Sequence, residues 1–184
     1  MYYAGGYFFK EWSDMLAQIE IDKGKIEQAA RGFLVENHVD KMPINPEALA
    51  CNAGLRVRYA AIPGNRVGRL NRADKLIVVD DWLKDDWPYA RCVIAHELGH
   101  WCLEENDTDD MDPETRLETK EVEASLFARA LLMPKPFVEK AVELYNERVR
   151  NNNSSFDSIV EYFTYVFEVT ERKARLRLKE LGYV

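Results

Sequence analysis

The chain has 184 residues, 47% hydrophobic and 31% charged, with a formal net charge of −7. That length suits one domain of ordinary size, or one plus a small appendage, and the apolar content excludes wholesale disorder. No stretch of 18 apolar residues exists, which excludes a spanning helix, and the acidic balance argues against general binding of nucleic acid.

In chain order, residues 12–37 predict a helix, with Met15, Leu16, Ile19, Ile26, Ala29, Ala30 and Phe33 at roughly helical spacing and Gly24 as a break. Asn45–Pro46 reads as an N-cap followed by a first-turn proline, opening a short helix that Gly54 ends. Leu55, Val57 and Tyr59 then alternate with Arg56 and Arg58, the period of a strand. Arg66–Leu70 and Lys75–Asp80 flank Asn71–Asp74, a hairpin turn, so three antiparallel strands are expected, with Arg66–Leu70 at the sheet edge. From Asp85 the chain turns helical to about Glu104. Asp112–Pro113 opens another helix, closed by Pro134 and Pro136, and a further one covers roughly 137–150. After Asn151–Ser155 come Phe156–Phe167 and Glu171–Leu181, the latter with Thr170 as N-cap and Gly182 as terminator. The layout is an α+β domain, mostly helical, with a small sheet.

The strongest chemical signal is His96-Glu97-Leu98-Gly99-His100, an HExxH pentapeptide. Histidines at i and i+4 lie one turn apart on one helix face, so both imidazoles can reach one cation. Zinc suits two neutral nitrogens, a carboxylate and an open position for water. Glu97 is turned about 100° around the helix from His96, so it can serve the water as base without ligating. The third ligand must come from elsewhere. Glu121 falls in line with Ala124, Ser125 and Ala128 on the next helix, while Glu123 points away from that row. Small residues there, with Gly99 on the first helix, allow close approach. Glu121 is therefore preferred, with Glu123 as the alternative.

Several features are weaker. Cys92, four residues before His96, reads as a small buried hydrophobe, a ligand or a redox group. Tyr145, Tyr162 and Tyr165 are candidates for steadying an oxyanion, or core residues. Between Trp101 and Ser125 stand ten acids and two bases. The run Glu104–Glu114 within it is a solvated loop, or an attractor for a basic segment of a partner. The aromatic start, Tyr2 to Trp12, packs on the body or docks a partner. Cys51, Cys92 and Cys102 form no paired framework, and the N-terminus does not read as a secretory signal, so a cytoplasmic protein is expected.

The segment AHELGHW, followed 21 positions after His100 by ExEAxxFAxxLLMP, resembles the ImmA/IrrE family of HExxH metallopeptidases. Pro43–Gly54, Gly68–Leu70 and Leu76–Val79 are similar to that family's helix, strands and hairpin, and Val169–Thr170, Arg177–Leu178 and Leu181–Gly182 to its helix-turn-helix-like tail. Ser125 stands where the family usually has Asn. The resemblance implies an N-terminal extension over 1–39, a zincin-like metallopeptidase domain over 40–150 and a helix-turn-helix-like subdomain over 151–184. It implies zinc held by His96, His100 and Glu121, with Glu97 as catalytic base. It further implies an endopeptidase of narrow specificity that cleaves a helix-turn-helix transcriptional repressor and so derepresses mobile-element, phage or stress genes. Direct binding to DNA or a membrane is not expected. The competing expectation is a metal-stabilised, non-enzymatic module that acts by binding a regulator.

Overall fold

The computed structural model describes residues 21–103, 113–151 and 155–184. The aromatic start, most of the acidic run and Asn152–Ser154 lie outside the described residues. Seven α-helices and one small sheet are present among those described.

Helix α1 (Lys23–Glu36) begins where the Asp22 carboxylate accepts from the Lys25 amide, 3.0 Å away, and it buries Ile26, Ala30 and Leu34. The helix starts beside Gly24, after the non-helical residues 21–22, and the part of the expected helix before residue 21 lies outside the described residues. Helix α2 (Pro46–Asn52) is capped by Asn45, whose side chain accepts from the amides of Glu47 and Ala48 at 3.0 and 3.1 Å. Gly54 follows with φ +77°, the left-handed conformation a helix exit favours.

Strands β1 (Arg56–Tyr59), β2 (Gly68–Asn71) and β3 (Leu76–Val79) form one sheet in the order β1-β3-β2. The expected all-antiparallel sheet is corrected here. β2 and β3 pair antiparallel, with Leu70 opposite Ile77, but β1 runs parallel to β3, with Val57 opposite Ile77. The most apolar strand, LIVV, takes the centre and buries Ile77 and Val79. The strands carrying Arg56, Arg58 and Arg69 take the edges, where charged side chains stay in water. Alternation reports which face a residue occupies, not the direction of its strand, so the parallel pair was not legible.

Helix α3 (Trp87–Leu103), which carries the HExxH residues, is the central element and is buried on most sides, from Ala90 through Ala95 and at Leu98 and Gly99. Helix α4 (Pro113–Leu132) packs along it, closely enough that a Cβ on Gly99 would lie 2.8 Å from the Ala124 Cα. Helices α5 (Lys135–Arg150), α6 (Ile159–Phe167) and α7 (Glu171–Glu180) complete the fold. α6 starts three residues later than its apolar pattern suggests, because Ser158 caps it by accepting from the Glu161 amide at 3.1 Å. α7 is capped by Thr170, and Gly182 follows it with φ +78°.

Two buried arginines tie the tail to the body. Arg91 on α3 donates to the carbonyls of Ile44 and Phe167 and to the Glu168 carboxylate, the last at 3.0 Å. Arg177 on α7 donates to the Met133 carbonyl at 2.9 Å and pairs with Glu27 on α1. A buried guanidinium must have its donors satisfied, so these contacts hold the tail on the body. No helix among the described residues is long and apolar enough to cross a membrane.

The three thiols are unpaired: Cys51 is exposed, Cys92 buried and Cys102 half-buried. Burial pushes the Cys102 thiol up to about 12 and raises Cys92 as well. Since the thiolate is the nucleophile, brief treatment of the native protein with iodoacetamide at mildly alkaline pH should add one label, at Cys51. All three should react after denaturation. Mass spectrometry showing rapid native labelling of Cys92 or Cys102 would contradict this packing.

Candidate metal centre

Helical spacing and one close helix crossing build the site. His96 and His100 project from successive turns of α3, their Nε2 atoms 3.2 Å apart. From α4 the Glu121 carboxylate reaches both, with Oε2 at 3.1 Å from His96 Nε2 and Oε1 at 3.4 Å from His100 Nε2. These three are the one His/Cys/Asp/Glu group among the described residues whose ligating atoms converge as a cation would need. Glu123, the alternative third ligand, does not reach the histidines and does not line the cleft.

Electrostatics favours the ligating forms. Burial holds the His96 imidazole below its ordinary pKa, leaving the ring nitrogen neutral. Hydrogen bonds from His100 and His96 hold the Glu121 carboxyl well below the usual carboxylate range. A neutral imidazole and an ionised carboxylate are the forms a metal binds. Ser125 Oγ lies 3.3 Å from His96 Nδ1, so the hydroxyl takes part in orienting that ring.

Glu97 stands beside this triad, only 6% exposed. Burial pushes its carboxyl up to about 7, against a hydrogen bond from the Leu70 amide that stabilises the charge. The edge strand β2 runs against it. A Cβ on Gly68 would sit 2.6 Å from Glu97 Oε1 and 2.5 Å from Val93 Cγ1, so only a glycine lets the strand approach this closely. Gly68 is a site residue that periodicity does not single out, although glycine inside a strand is a signal of close approach. Arg72 is another. Its guanidinium donates to the carbonyls of His100 and Trp101 and lies 5.2 Å above the Trp101 ring, holding the C-terminal end of α3.

A cleft of about 970 Å³ opens over the triad, lined by β2, by α3 and α4, and by the first turn of α7. Cys92 lines it yet is buried, as a small hydrophobe would be. The three tyrosines considered for an oxyanion are not in it. Tyr162 is buried in an aromatic cluster with Tyr145 and Phe156, and Tyr165 is 72% exposed. Among the described residues the tyrosine that does line the cleft is Tyr89, on the first turn of α3.

A histidine pair and a carboxylate converging under a sheet edge, with a buried second carboxylate beside them, is the arrangement of a metal-dependent hydrolase. Residues 52–179 match the family model Peptidase_M78, described as the IrrE N-terminal-like domain. The chain belongs to this family of metallopeptidases, in agreement with the resemblance carried by its motifs. No curated protein matches the sequence at a significant level. Among solved structures, a Mycobacterium tuberculosis transcriptional regulator is similar in fold, with a TM-score of 0.65 at 18% identity. The match covers 85% of this chain and 46% of that one, so this chain spans about half the length of that protein.

Proposed function

We propose that the protein is a zinc-dependent endopeptidase of narrow specificity, acting in the cytoplasm on a helix-turn-helix transcriptional repressor. The observation that carries the chemistry is the convergence of His96, His100 and Glu121 with Glu97 held beside them. Tetrahedral zinc with bonds of about 2.0–2.1 Å needs ligand atoms roughly 3.3 Å apart; the two imidazole Nε2 atoms are 3.2 Å apart, and Glu121 Oε2 is 3.1 Å from that of His96. Two nitrogens and one carboxylate also form a donor set that leaves a fourth position open. Zinc, when bound, supplies Lewis acidity and makes water a nucleophile near neutral pH. Glu97 then takes the proton of the attacking water and hands it to the departing amine.

An extended peptide is the natural substrate form. β2 is a sheet edge lying against Glu97, and an edge is where an extended peptide adds as a further strand. The repressor assignment rests on the resemblance to the ImmA/IrrE family. Incubating the metal-loaded protein with a repressor encoded beside it should give two discrete fragments. Binding without cleavage would favour the non-enzymatic module instead.

The metal itself is tested separately. Freshly purified, chelator-free protein should carry about one zinc per chain by elemental analysis. His100→Ala and Glu121→Ala should lose it and melt at lower temperature, because a ligand of the native state stabilises by about 4 kcal/mol at roughly a thousandfold excess over its Kd. Glu123→Ala should keep it. The reverse result for the two glutamates would move the third ligand to Glu123.

A further inference from the structure

The first turn of α7 does more than pack. Thr170, Arg172 and Lys173 line the same cleft as His96, Glu97 and Glu121. Lys173 is half-buried there, and among the described residues its ammonium has no carboxylate within ion-pair distance. Burial lowers its pKa, and Arg129 and Arg172 push in the same direction. The acid that partly offsets them, Glu180, is engaged with Arg129 at 2.5 Å. Holding a charge away from water without a counter-ion costs free energy that an arriving anion returns.

The rest of the lining points the same way. Among the described residues the cleft is lined by the cations Arg66, Arg69 and Lys173 beside Arg72, Lys120 and Arg172, which have partners of their own, and by the carboxylates of Glu97 and Glu121. Glu121 is taken by the two histidines and Glu97 accepts from the Leu70 amide. Among the described residues the lining of this cleft is thus net basic, in a chain of net charge −7. The N-terminal end of α7, a ten-residue helix opening at the cleft, adds its positive dipole.

We infer that the cleft takes an acidic segment of a protein substrate, with Lys173 anchoring a substrate carboxylate and Arg66 and Arg69 flanking the paired strand. This rests on the peptidase reading of the site and adds the chemistry of what is cut. It makes Lys173 a specificity-determining residue rather than a catalytic one. Discrimination comes from a partly desolvated, charge-assisted contact, which favours a carboxylate over a neutral amide by about tenfold to a hundredfold.

The test measures binding in the full-length Glu97→Gln protein, using fluorescein-labelled extended peptides identical except for a central Glu-Glu, Gln-Gln or Lys-Lys pair. Fluorescence anisotropy should rank them Glu, then Gln, then Lys, with the first gap about tenfold or more and narrowing as salt is raised. Lys173→Met should erase most of that gap and Lys173→Arg should retain it, with melting temperatures showing that both remain folded. Equal binding of the Glu and Gln peptides overturns the inference without recourse to any variant, as does a preference unchanged in folded Lys173→Met. A single-stranded DNA oligonucleotide that outcompetes the Glu peptide also overturns it, assigning the cations to nucleic acid. The peptidase reading is separable. If the zinc-loaded wild type cuts neither the repressor encoded beside it nor any peptide of a proteome digest while the Glu preference persists, the peptidase reading fails and the acidic subsite stands. If it cuts peptides lacking an acid near the scissile bond equally well, the subsite fails and the peptidase stands.

Discussion

Glu97→Gln should keep the fold and the metal while lowering cleavage of the substrate by about 10²–10⁴-fold, the usual contribution of general acid–base catalysis. The amide has nearly the same shape as the carboxylate, so the close fit against Gly68 survives. It cannot accept the proton of the attacking water. Stability should not fall, because Glu97 is only 6% exposed and a neutral amide is easier to bury than a carboxylate. The measurements are kcat/KM on the repressor or a cut peptide, zinc content and melting temperature, taken together. Wild-type rates in a zinc-loaded variant would remove Glu97 from the mechanism. Loss of metal along with activity would instead make Glu97 part of what holds the ion.

Gly99→Ala should destabilise the protein and weaken metal binding, against the trend of helix propensity. In an ordinary exposed helix, alanine is favoured over glycine by about 1 kcal/mol. Here the added Cβ would meet the Ala124 Cα at 2.8 Å and its carbonyl oxygen at 2.9 Å. Those are backbone atoms, which no rotamer change can move aside. Overpacking of this kind costs about 1–3 kcal/mol, and relief requires α3 and α4 to separate. Separation carries Glu121 away from His96 and His100, because the carboxylate rides on one helix and the imidazoles on the other. A lower melting temperature and a higher Kd for zinc are expected, and Gly99→Val should be worse. A variant that melts higher than wild type with unchanged zinc affinity would show that the two helices are not this close.

The sequence by itself determined the parts that rest on local rules. The HExxH spacing puts two imidazoles on one helix face whatever surrounds them. The N-caps at Asn45 and Thr170 and the left-handed glycines at Gly54 and Gly182 follow from side-chain and backbone preferences within a few residues. The placement of Glu121 rather than Glu123 beside the two histidines was legible too, because the row of small residues next to it marks the face that approaches Gly99. What tertiary structure alone decided involves elements distant in the chain. The parallel pairing of β1 with β3 depends on which strand takes the buried centre, and alternation carries no direction. The fit of Gly68 against Glu97 and the hold of Arg72 on the end of α3 join β2 to the metal helix across more than 25 residues of chain. The basic balance of the tail helix reads in sequence as a solvated face. Only packing shows that Arg177 is buried in ion pairs while the half-buried Lys173 lines the cleft, because the side of α7 that meets the body is set by where α1 and α4 already lie.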